Sequence, residues 1–454
     1  MRTIGIYFAK QRKKFQLIDS KKIPMKIFKF GGASIKDAEG FKNVSTIIKA
    51  HESESLLIVI SAIGKTTNAL ESVIKHCYAK NNQVHHAFQT IVDDHNKIAK
   101  ILFESGHLAI KNALETLYVE LENCIQSSHL QKDYDALYDQ IIVYGELMAS
   151  TIMSHYLTTQ SIKNQWIDAR DYIITDQRYR DARIQWVETA ELINTTLGPI
   201  AEKDLVITQG FIGRSVGGET TTLGREGSDY SAAIFGSLLG ADSISIWKDV
   251  VGVMNADPNK FSNAELIKEL SYNDAIELAY YGASVIHPKT IQPLKAKGIP
   301  LYVRSFIDVN EPGTKVSAQS KPITISCKIH KDNQILLEIR TRDFTFIAED
   351  HLKQIFQLLS ENNMRCNLMQ NSAICFRCVL DSKENQHLAL IQQLEFLGLD
   401  ATCQSNLELI SIYNTNSSFN KEEDIGNKDI VLQQNMGKSI HYLVRKPINT
   451  DLKN

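Results

Sequence analysis

The sequence predicts an α/β protein of two parts, an αβα sandwich followed by a smaller region with a ferredoxin-like order of elements. Between about residues 25 and 318, short apolar runs rich in β-branched residues alternate with helical segments. That pattern is typical of strands buried on both faces of a sheet. Beyond residue 323 the predicted order changes to βαββαβ, the ferredoxin-like arrangement. A chain of 454 residues, 43% of them hydrophobic, is long enough to bury two or three cores.

The first part is predicted to contain five core strands and a long helical stretch. The strands are Ile27–Phe30, Leu56–Ile60, Leu205–Thr208, Ile244–Trp247 and Ile299–Val303. Few glycines interrupt residues 66–160, so this stretch is predicted to be helical.

Capping and turn signals place some boundaries. Ser34 with Asp37, and Ser271 with Asp274, have the serine-to-acid spacing of a capping box, so each pair is predicted to begin a helix. The Glu-Pro-Gly-Thr sequence at 311–314 is predicted to be the turn by which the chain leaves this domain.

The second part is predicted from its own alternation of patterns. Its elements are a strand at 335–341, a helix at 349–361, strands at 364–371 and 373–380, a helix at 384–397 and a strand at 401–413. A polar loop follows, and then two strands, Ile430–Gln434 and Ser439–Arg445. The predicted domains are therefore 25–318, 323–414, and a remainder at 415–454 that is too short for a second complete βαββαβ unit.

Composition narrows the class of protein. The net charge of −2 predicts neither nucleic acid nor a membrane surface as a partner, and no apolar run approaches the ~20 residues of a membrane helix. Residues 1–24 are basic and lack the apolar core of a signal peptide, so we expect either a natural start at Met25 or a dispensable extension. Cys375 and Cys378 lack a second cysteine pair, which favours buried thiols in a reducing cytoplasm. The thirteen histidines show no metal-ligand pairing such as H-E-x-x-H, and no metal site is predicted.

A candidate phosphate site directly follows the first strand. Lys29 supplies a point charge, Gly31 and Gly32 let the backbone approach a phosphate, and Ser34 can cap the next helix. The segment is not a Walker loop, because G-x-x-x-x-G-K-[ST] is absent. Taken alone, it fits an ordinary tight turn equally well.

A second group of residues has the charges that bind a zwitterion. The Arg225 guanidinium can grip a carboxylate with two hydrogen bonds, while Asp229 and Glu146 can receive an ammonium. Glu226 is interpreted as a solvated neighbour. Hydroxyl groups follow the second strand between Ser61 and Thr67, and Lys248-Asp249 stands where the fourth strand stops.

Together these segments resemble the aspartokinases of the amino-acid kinase family. The matching motifs are Lys29–Gly32, Ser61–Asn68, Tyr144–Glu146, Leu223–Tyr230, Trp247–Val253, Asp257-Pro258 and Gly282–Pro288. The resemblance is close over about residues 25–320 and looser beyond, where the chain is similar to the tandem ACT domains of that family. It implies phosphorylation of the side-chain carboxylate of L-aspartate by MgATP, the first step of lysine, threonine and methionine synthesis. It also implies a homodimer or higher homo-oligomer and an amino-acid effector at the ACT region.

The resemblance also implies roles for individual residues. Lys29 and Asp229 would be catalytic. The aspartate-binding residues would be Ser61, Thr67, Glu146, Arg225 and Asp229. The nucleotide-binding residues would be Lys29, Gly31, Gly32, Ser34, Lys248, Asp249, Met254, Asn259 and Ser284.

The chain departs from the family pattern at the nucleotide side and at the effector strand. Ala33, Asn259 and Ser284 stand where Thr, Arg and Lys are usual, and Lys248 stands where Thr is frequent. Asn367 replaces an Asp in the strand that contacts lysine in lysine-sensitive relatives, and a neutral amide cannot balance an ammonium. Weak or absent lysine inhibition is therefore predicted.

Two other functions fit parts of the sequence. One is an amino-acid kinase acting on glutamate or N-acetylglutamate, which the ACT-like region and the 224–230 block disfavour. The other is a catalytically weak amino-acid sensor, which the presence of Lys29, Glu146, Arg225 and Asp229 disfavours. No fused dehydrogenase is expected.

Overall fold

The computed structural model describes residues 24–103, 108–282, 286–343, 345–382, 386–415, 425–426 and 428–446. The predicted extension at 1–24, apart from Pro24, and the predicted nucleotide-binding residue Ser284 lie outside the described residues. In the part of the chain that is described, no helix combines the length and the apolar character needed to span a bilayer.

The first part of the chain is built on an eight-stranded sheet and a small three-stranded sheet. In chain order the strands are β1 (Met25–Phe30), β2 (Ser55–Ile60), β3 (Asn164–Trp166), β4 (Ile174–Thr175), β5 (Leu205–Gln209), β6 (Ile212–Ser215), β7 (Thr220–Thr222), β8 (Ser243–Lys248), β9 (Glu269–Ser271), β10 (Leu301–Ser305) and β11 (Thr314–Ser317). The large sheet has the order β3-β5-β2-β1-β8-β10-β11-β9, and the small one β4-β6-β7.

The five strands predicted from sequence are neighbours in the large sheet, β5-β2-β1-β8-β10, and all pair in parallel. Their side chains are almost all buried, from Ile27 in β1 to Trp247 in β8. A parallel sheet is covered on both faces, so its strands are apolar on both sides, as these unbroken apolar runs are. The predicted α/β class is therefore confirmed.

Helices cover this sheet. They are α1 (Ala38–Lys49), α2 (Thr66–Tyr78), α3 (Val84–Phe103), α4 (Leu108–Ser127), α5 (Tyr134–Ile142), α6 (Tyr144–Thr159), α7 (Trp186–Leu192), α8 (Gly198–Ala201), α9 (Gly227–Leu239), α10 (Tyr272–Tyr281) and α11 (Pro288–Lys297). Helices α2 to α6 form the stretch predicted at 66–160.

Of the two predicted capping boxes, the one at Ser34 is wrong and the one at Ser271 is confirmed. Ser34 does not cap α1. It lies in a short 3-10 turn with its hydroxyl donating to the Trp247 carbonyl at 3.4 Å, while Asp37 is the cap and accepts from the Gly40 amide at 2.9 Å. Ser271 does begin α10, because its hydroxyl accepts the N–H of Asp274 at 3.1 Å.

The turn at 311–314 does not take the chain out of the sheet. It reverses the chain into β11, which pairs antiparallel with β10. Gly313 has φ +71° there, and a Cβ at this position would overlap the Val303 carbonyl oxygen. The turn therefore adds a strand between β10 and β9 whose apolar pattern is too short to reveal it.

The C-terminal part is one six-stranded antiparallel sheet with two helices. Its elements are β12 (Cys327–Thr341), α12 (Glu349–Glu361), β13 (Cys366–Asn371), β14 (Cys375–Asp381), α13 (Gln386–Phe396), β15 (Leu399–Tyr413), β16 (Ile430–Met436) and β17 (Ser439–Arg445). The order β13-β14-β12-β15-β17-β16 contains the predicted βαββαβ unit, with β17 and β16 continuing the same sheet beside β15. Its core includes Leu337, Ile355, Phe376 and Leu390.

Contacts divide the described residues into two compact units. The first comprises 24–253, 266–276 and 286–322, and the second comprises 254–265, 277–282 and the described residues from 323 onward. Met254 and Asn259 thus group with the C-terminal sheet rather than with the parallel sheet.

Candidate active site

A cavity of about 430 Å³ opens at the carboxyl edge of the parallel sheet. Its lining residues are Lys29, Gly32, Ser61, Ala62, Gly64, Thr67, Tyr138, Glu146, Arg180, Phe211, Gly224, Arg225, Glu226, Gly227 and Ser228. Most of them come from the ends of β1 and β2 and from the first turns of α2, α6 and α9, and the others from α5 and from loops. This edge is where open α/β sheets bind ligands.

Glycine and helix termini give the cavity its affinity for anions. A Cβ on Gly32 would lie 2.6 Å from the Ala62 carbonyl oxygen, so only glycine fits where the two loops meet. The Gly64 amide donates to the Gly32 carbonyl at 3.1 Å and ties those loops together. Helices α2 and α9 begin at Thr66 and Gly227 beside the cavity, and their N-terminal amides favour negative charge there.

A buried carboxylate holds two lysines at one end of the site. Asp229 is fully buried in the first turn of α9; its Oδ1 lies 2.6 Å from Lys29 Nζ and its Oδ2 3.3 Å from Lys248 Nζ. Burial alone would raise the pKa of Asp229, but the two ammonium groups outweigh it and lower that pKa. Burial would likewise lower the pKa of Lys248, yet Asp229 and Glu226 raise it. Asp229 and Lys248 therefore both stay ionised near neutral pH.

Glu146 is the buried acid of the cavity. Its Oε1 accepts the Ala62 amide at 3.3 Å, whereas its buried Oε2 has no hydrogen-bond partner among the described residues. Burial raises the pKa of Glu146 to about 8, and the Ala62 hydrogen bond offsets part of that rise. A buried, half-satisfied carboxylate beside a cavity is a strong receptor for a cation.

Gly145 explains how this carboxylate reaches the loop. A Cβ at Gly145 would lie 2.9 Å from the Cβ of Ala62, so the glycine lets α6 approach residues 61–67. The Ala62–Glu146 hydrogen bond depends on that approach.

Arg225 and Glu226 form the outer rim. Arg225 is exposed and lines the cavity, with its guanidinium available to a ligand carboxylate. Glu226 also lines the cavity and lies 3.8 Å from Lys248 Nζ, so its interpretation as a merely solvated neighbour is wrong. The cavity thus offers one ligand a guanidinium at its rim, a buried acid and a lysine.

The predicted site residues divide into two sets. The residues that line the cavity are Lys29, Gly32, Ser61, Thr67, Glu146 and Arg225. Gly31, Ser34, Asp229, Lys248, Asp249, Met254 and Asn259 are not among its described lining residues. Asp229 is paired with the lining residue Lys29, and Asp249 is exposed.

A family model agrees with this geometry. The model of the amino acid kinase family matches residues 24–305, more than half of the chain and all of the cavity. The chain belongs to the amino acid kinase family. The family resemblance predicted from the sequence motifs is therefore confirmed.

Within this family the chain groups with the aspartokinases. It is 30% identical to lysine-sensitive aspartokinase 3 of Escherichia coli over 387 residues, and this alignment covers 84% of each protein. It is 31% identical to a bifunctional aspartokinase/homoserine dehydrogenase of Buchnera aphidicola, over 77% of this chain and 43% of that protein.

Solved structures of E. coli aspartokinase III share this chain's fold. The complex with aspartate and ADP in the R-state matches with a TM-score of 0.80 at 26% identity, covering 93% of this chain and 96% of that one. The complex with lysine and aspartate in the T-state matches with a TM-score of 0.79 at 27% identity and the same coverage.

Three lining residues of this amino acid kinase were not predicted from the sequence. Tyr138, Arg180 and Phe211 come from α5 and from two loops without a recognisable motif. Asp139 was also missed, although it is fully buried beneath the cavity wall and burial raises its pKa to about 6. An acid among the mostly apolar residues 136–143 was the available signal for Asp139.

Proposed function

We propose that the protein is an aspartate kinase, which transfers the γ-phosphoryl group of ATP to the side-chain carboxylate of L-aspartate to give 4-phospho-L-aspartate. The observation that carries the proposal is the convergence of Lys29, Glu146 and Arg225 on one cavity. A zwitterionic substrate with a second carboxylate needs a receptor for its ammonium, a cation for its α-carboxylate and charge compensation where its other carboxylate meets a phosphate.

The Glu146 carboxylate would receive the substrate ammonium at Oε2, which has no hydrogen-bond partner among the described residues. Arg225 would hold the α-carboxylate, and the Ser61 and Thr67 loop would line the space between them. Orientation by these groups supplies the positioning on which phosphoryl transfer chiefly depends.

Lys29 would sit between the two reacting anions. The side-chain carboxylate of aspartate has a pKa near ~3.9, so it is already ionised and needs no general base. The barrier is the approach of one anion to another, which the Lys29 ammonium and the amides of the Gly31-Gly32 turn would lower. Asp229 would act as a positioning residue, because it fixes the Lys29 ammonium and does not line the cavity.

The site fits MgATP. The Gly32 turn, Lys29 and two helix N-termini provide a phosphate cradle, with Lys248 and Asp249 at the end of β8 for the nucleotide side. Among the described residues, no group of three or more His, Cys, Asp or Glu side chains could hold a metal ion. That fits Mg²⁺ bound mainly through phosphate oxygens, where it would neutralise charge on the transferring group.

Regulation and assembly extend the proposal. The C-terminal sheet would bind an amino-acid effector and pair with a second copy, giving a homodimer or a higher homo-oligomer. Light scattering on the purified protein tests the assembly, since a monomer at working concentration would contradict it. All seven cysteines are thiols rather than disulfides, which is consistent with a cytoplasmic protein.

An acyl-phosphate trapping assay tests the proposed reaction. With MgATP and hydroxylamine, aspartate should give a hydroxamate and release equimolar ADP. The Glu146→Gln variant, which keeps the shape of the side chain, should lose most of the signal at low aspartate. Binding of aspartate without any product would instead support a catalytically weak sensor.

A further inference from the structure

Arg180 is a third cation of the cavity, besides Lys29 and Arg225. It lies in the irregular segment that follows β4, and no motif assigns it a role. Its side chain is 45% exposed, so a large part of it faces solvent rather than packing in the core.

The backbone at Arg180 is unusual. Its φ is +62°, a left-handed conformation that a residue with a side chain adopts only at a cost. Glycine would meet that geometry without strain. A long cationic side chain on such a backbone, at the wall of a ligand cavity, points to a function for the side chain.

Buried hydrogen bonds hold this backbone in place. The Arg180 amide donates to Asp139 Oδ2 at 3.0 Å, and the same carboxylate accepts the amide and the hydroxyl of Thr222 at 2.8 and 2.7 Å. Thr222 ends β7 and leads into the loop that carries Arg225. A Cβ on Gly224 would lie 2.9 Å from the Arg180 carbonyl oxygen. Asp139 therefore fastens the Arg180 loop beside the Arg225 loop.

The guanidinium of Arg180 rests on neighbours that a ligand can compete with. It lies 4.3 Å from the ring centroid of Tyr138, and its Nη1 is 3.1 Å from Asp135 Oδ1, itself a half-exposed group. An exposed ion pair contributes little stability, and a guanidinium has five N–H donors, so binding to a carboxylate remains favourable.

We propose that Arg180 is a specificity-determining residue that joins Arg225 in binding the α-carboxylate of the substrate, so that two guanidinium groups from adjoining loops hold this group. The inference rests on the proposed aspartate kinase activity. Lys29 lies on β1 at the phosphate turn and serves the other carboxylate. The Tyr138 ring supports the Arg180 guanidinium, whereas the substrate carboxylate would replace Asp135 as its ion-pair partner.

Arg180→Gly is the sharpest test, because glycine keeps the left-handed backbone and removes only the side chain. We expect KM for aspartate to rise about tenfold, in line with the loss of one charged hydrogen bond, with kcat and KM for ATP changing less than about twofold. Arg180→Lys keeps the charge but loses the paired N–H donors of the guanidinium, so its KM for aspartate should lie between those of the wild type and Arg180→Gly. The Kd of succinate, a dicarboxylate without an ammonium, should rise in parallel by calorimetry.

Two matched variants separate this role from a structural one. Arg178→Ala removes an exposed arginine of the same loop that is not among the described lining residues, so it should leave KM for aspartate unchanged. Asp135→Asn breaks the ion pair but leaves the Arg180 guanidinium in place, so it should not raise KM for aspartate. If the ion pair had only a structural role, Asp135→Asn would instead behave like Arg180→Gly.

An unchanged KM for aspartate in Arg180→Gly and Arg180→Lys, with wild-type activity intact, would overturn the inference and leave the proposed function standing. If the wild-type protein makes no product from aspartate, the proposed function itself fails. Equal losses in Arg178→Ala and Arg180→Gly would reduce the effect to general loss of positive charge and would also overturn the inference.

Discussion

At the scale of single residues, the site depends on charges that burial makes strong. Asp229 stays ionised because Lys29 and Lys248 flank it, whereas at Glu146 burial outweighs the attraction of Lys29 and raises the pKa of the carboxyl group. The same low-dielectric setting thus creates a fixed ion pair at one end and an acceptor for a cation at the other.

Lys29→Ala should lower kcat by about a hundredfold or more and change KM for aspartate by less than about threefold. The ammonium acts on charge that develops in the transition state, where a lost electrostatic contact typically costs that much. Steady-state kinetics measure the split. Lys36→Ala, an exposed lysine beyond the phosphate turn, is the control and should behave as wild type; near-normal kcat in Lys29→Ala would remove Lys29 from the mechanism.

The raised pKa of Glu146 should make aspartate binding pH-dependent. With a pKa of about 8 in the empty site, Glu146 is largely protonated at neutral pH and must lose its proton to pair with an ammonium. KM for aspartate should therefore fall by roughly tenfold or more between about pH 6.5 and 8.5, with a proton released on binding near pH 7. Calorimetry in buffers of different ionisation enthalpy measures the proton; the same release from Glu146→Gln would contradict the assignment.

The raised pKa also has a consequence for stability. A carboxyl group whose folded pKa exceeds its unfolded value of 4.5 contributes stability below that value and loses it as the pH rises through about 8. Saturating aspartate should offset that loss, because its ammonium stabilises the ionised form.

At the scale of elements, the close approach of α6 to the loop at 61–67 determines where Glu146 lies in the site. Gly145→Ala should raise KM for aspartate several-fold while keeping the melting temperature, because the added methyl displaces Ala62 but alanine favours the helix. Gly198→Ala in α8 is the control, since its Cβ would meet neighbours at 3.5 Å or more and should change neither quantity. A normal KM in Gly145→Ala would show that the approach is not needed.

The same elements show what sequence reasoning can reach. Continuous apolar runs such as Leu56–Ile60 were placed within two residues, because burial on both faces leaves a strong signal. Two-to-four-residue strands such as β4 and β11 leave none. β12 begins eight residues before its prediction, since Lys328 and His330 are polar and are held by pairing with β15.

The candidate site was predictable where charge and motif coincide, and not elsewhere. Lys29 lies at the end of β1, Glu146 and Arg225 each follow a glycine, and all three line the cavity. Asp229 has the same motif, but only the fold reveals that its two partners are lysines. Arg180 has no motif, because its place depends on a buried hydrogen bond to a residue 41 positions away.

At the scale of the whole molecule, the C-terminal sheet is where we propose that an effector would regulate activity. Asn367 is buried, and its Oδ1 already accepts a hydrogen bond from the Lys331 ammonium at 2.8 Å. Its amide donates to Gln334 and Asp381, both at 2.8 Å. The amide in the strand predicted to face an effector ammonium is therefore already bonded to the ammonium of Lys331 in β12.

Lysine at about 1 mM should accordingly inhibit by less than about twofold, because a second ammonium would meet Lys331 rather than an unbalanced carboxylate. A lysine titration of the wild-type activity measures this. The E. coli relative is named as lysine-sensitive, so it is the positive control in the same assay. Inhibition at micromolar lysine would contradict the prediction.

The most direct test of the central claim is the ratio of kcat/KM for aspartate to that for glutamate in the wild-type protein with MgATP. A cavity that holds the ammonium at Glu146 and a carboxylate at Arg225 fixes the distance to the phosphate at Lys29, so one extra methylene should displace the reacting carboxylate. We expect aspartate to be preferred by at least about a hundredfold. Equal use of both amino acids, or product from neither, would contradict it.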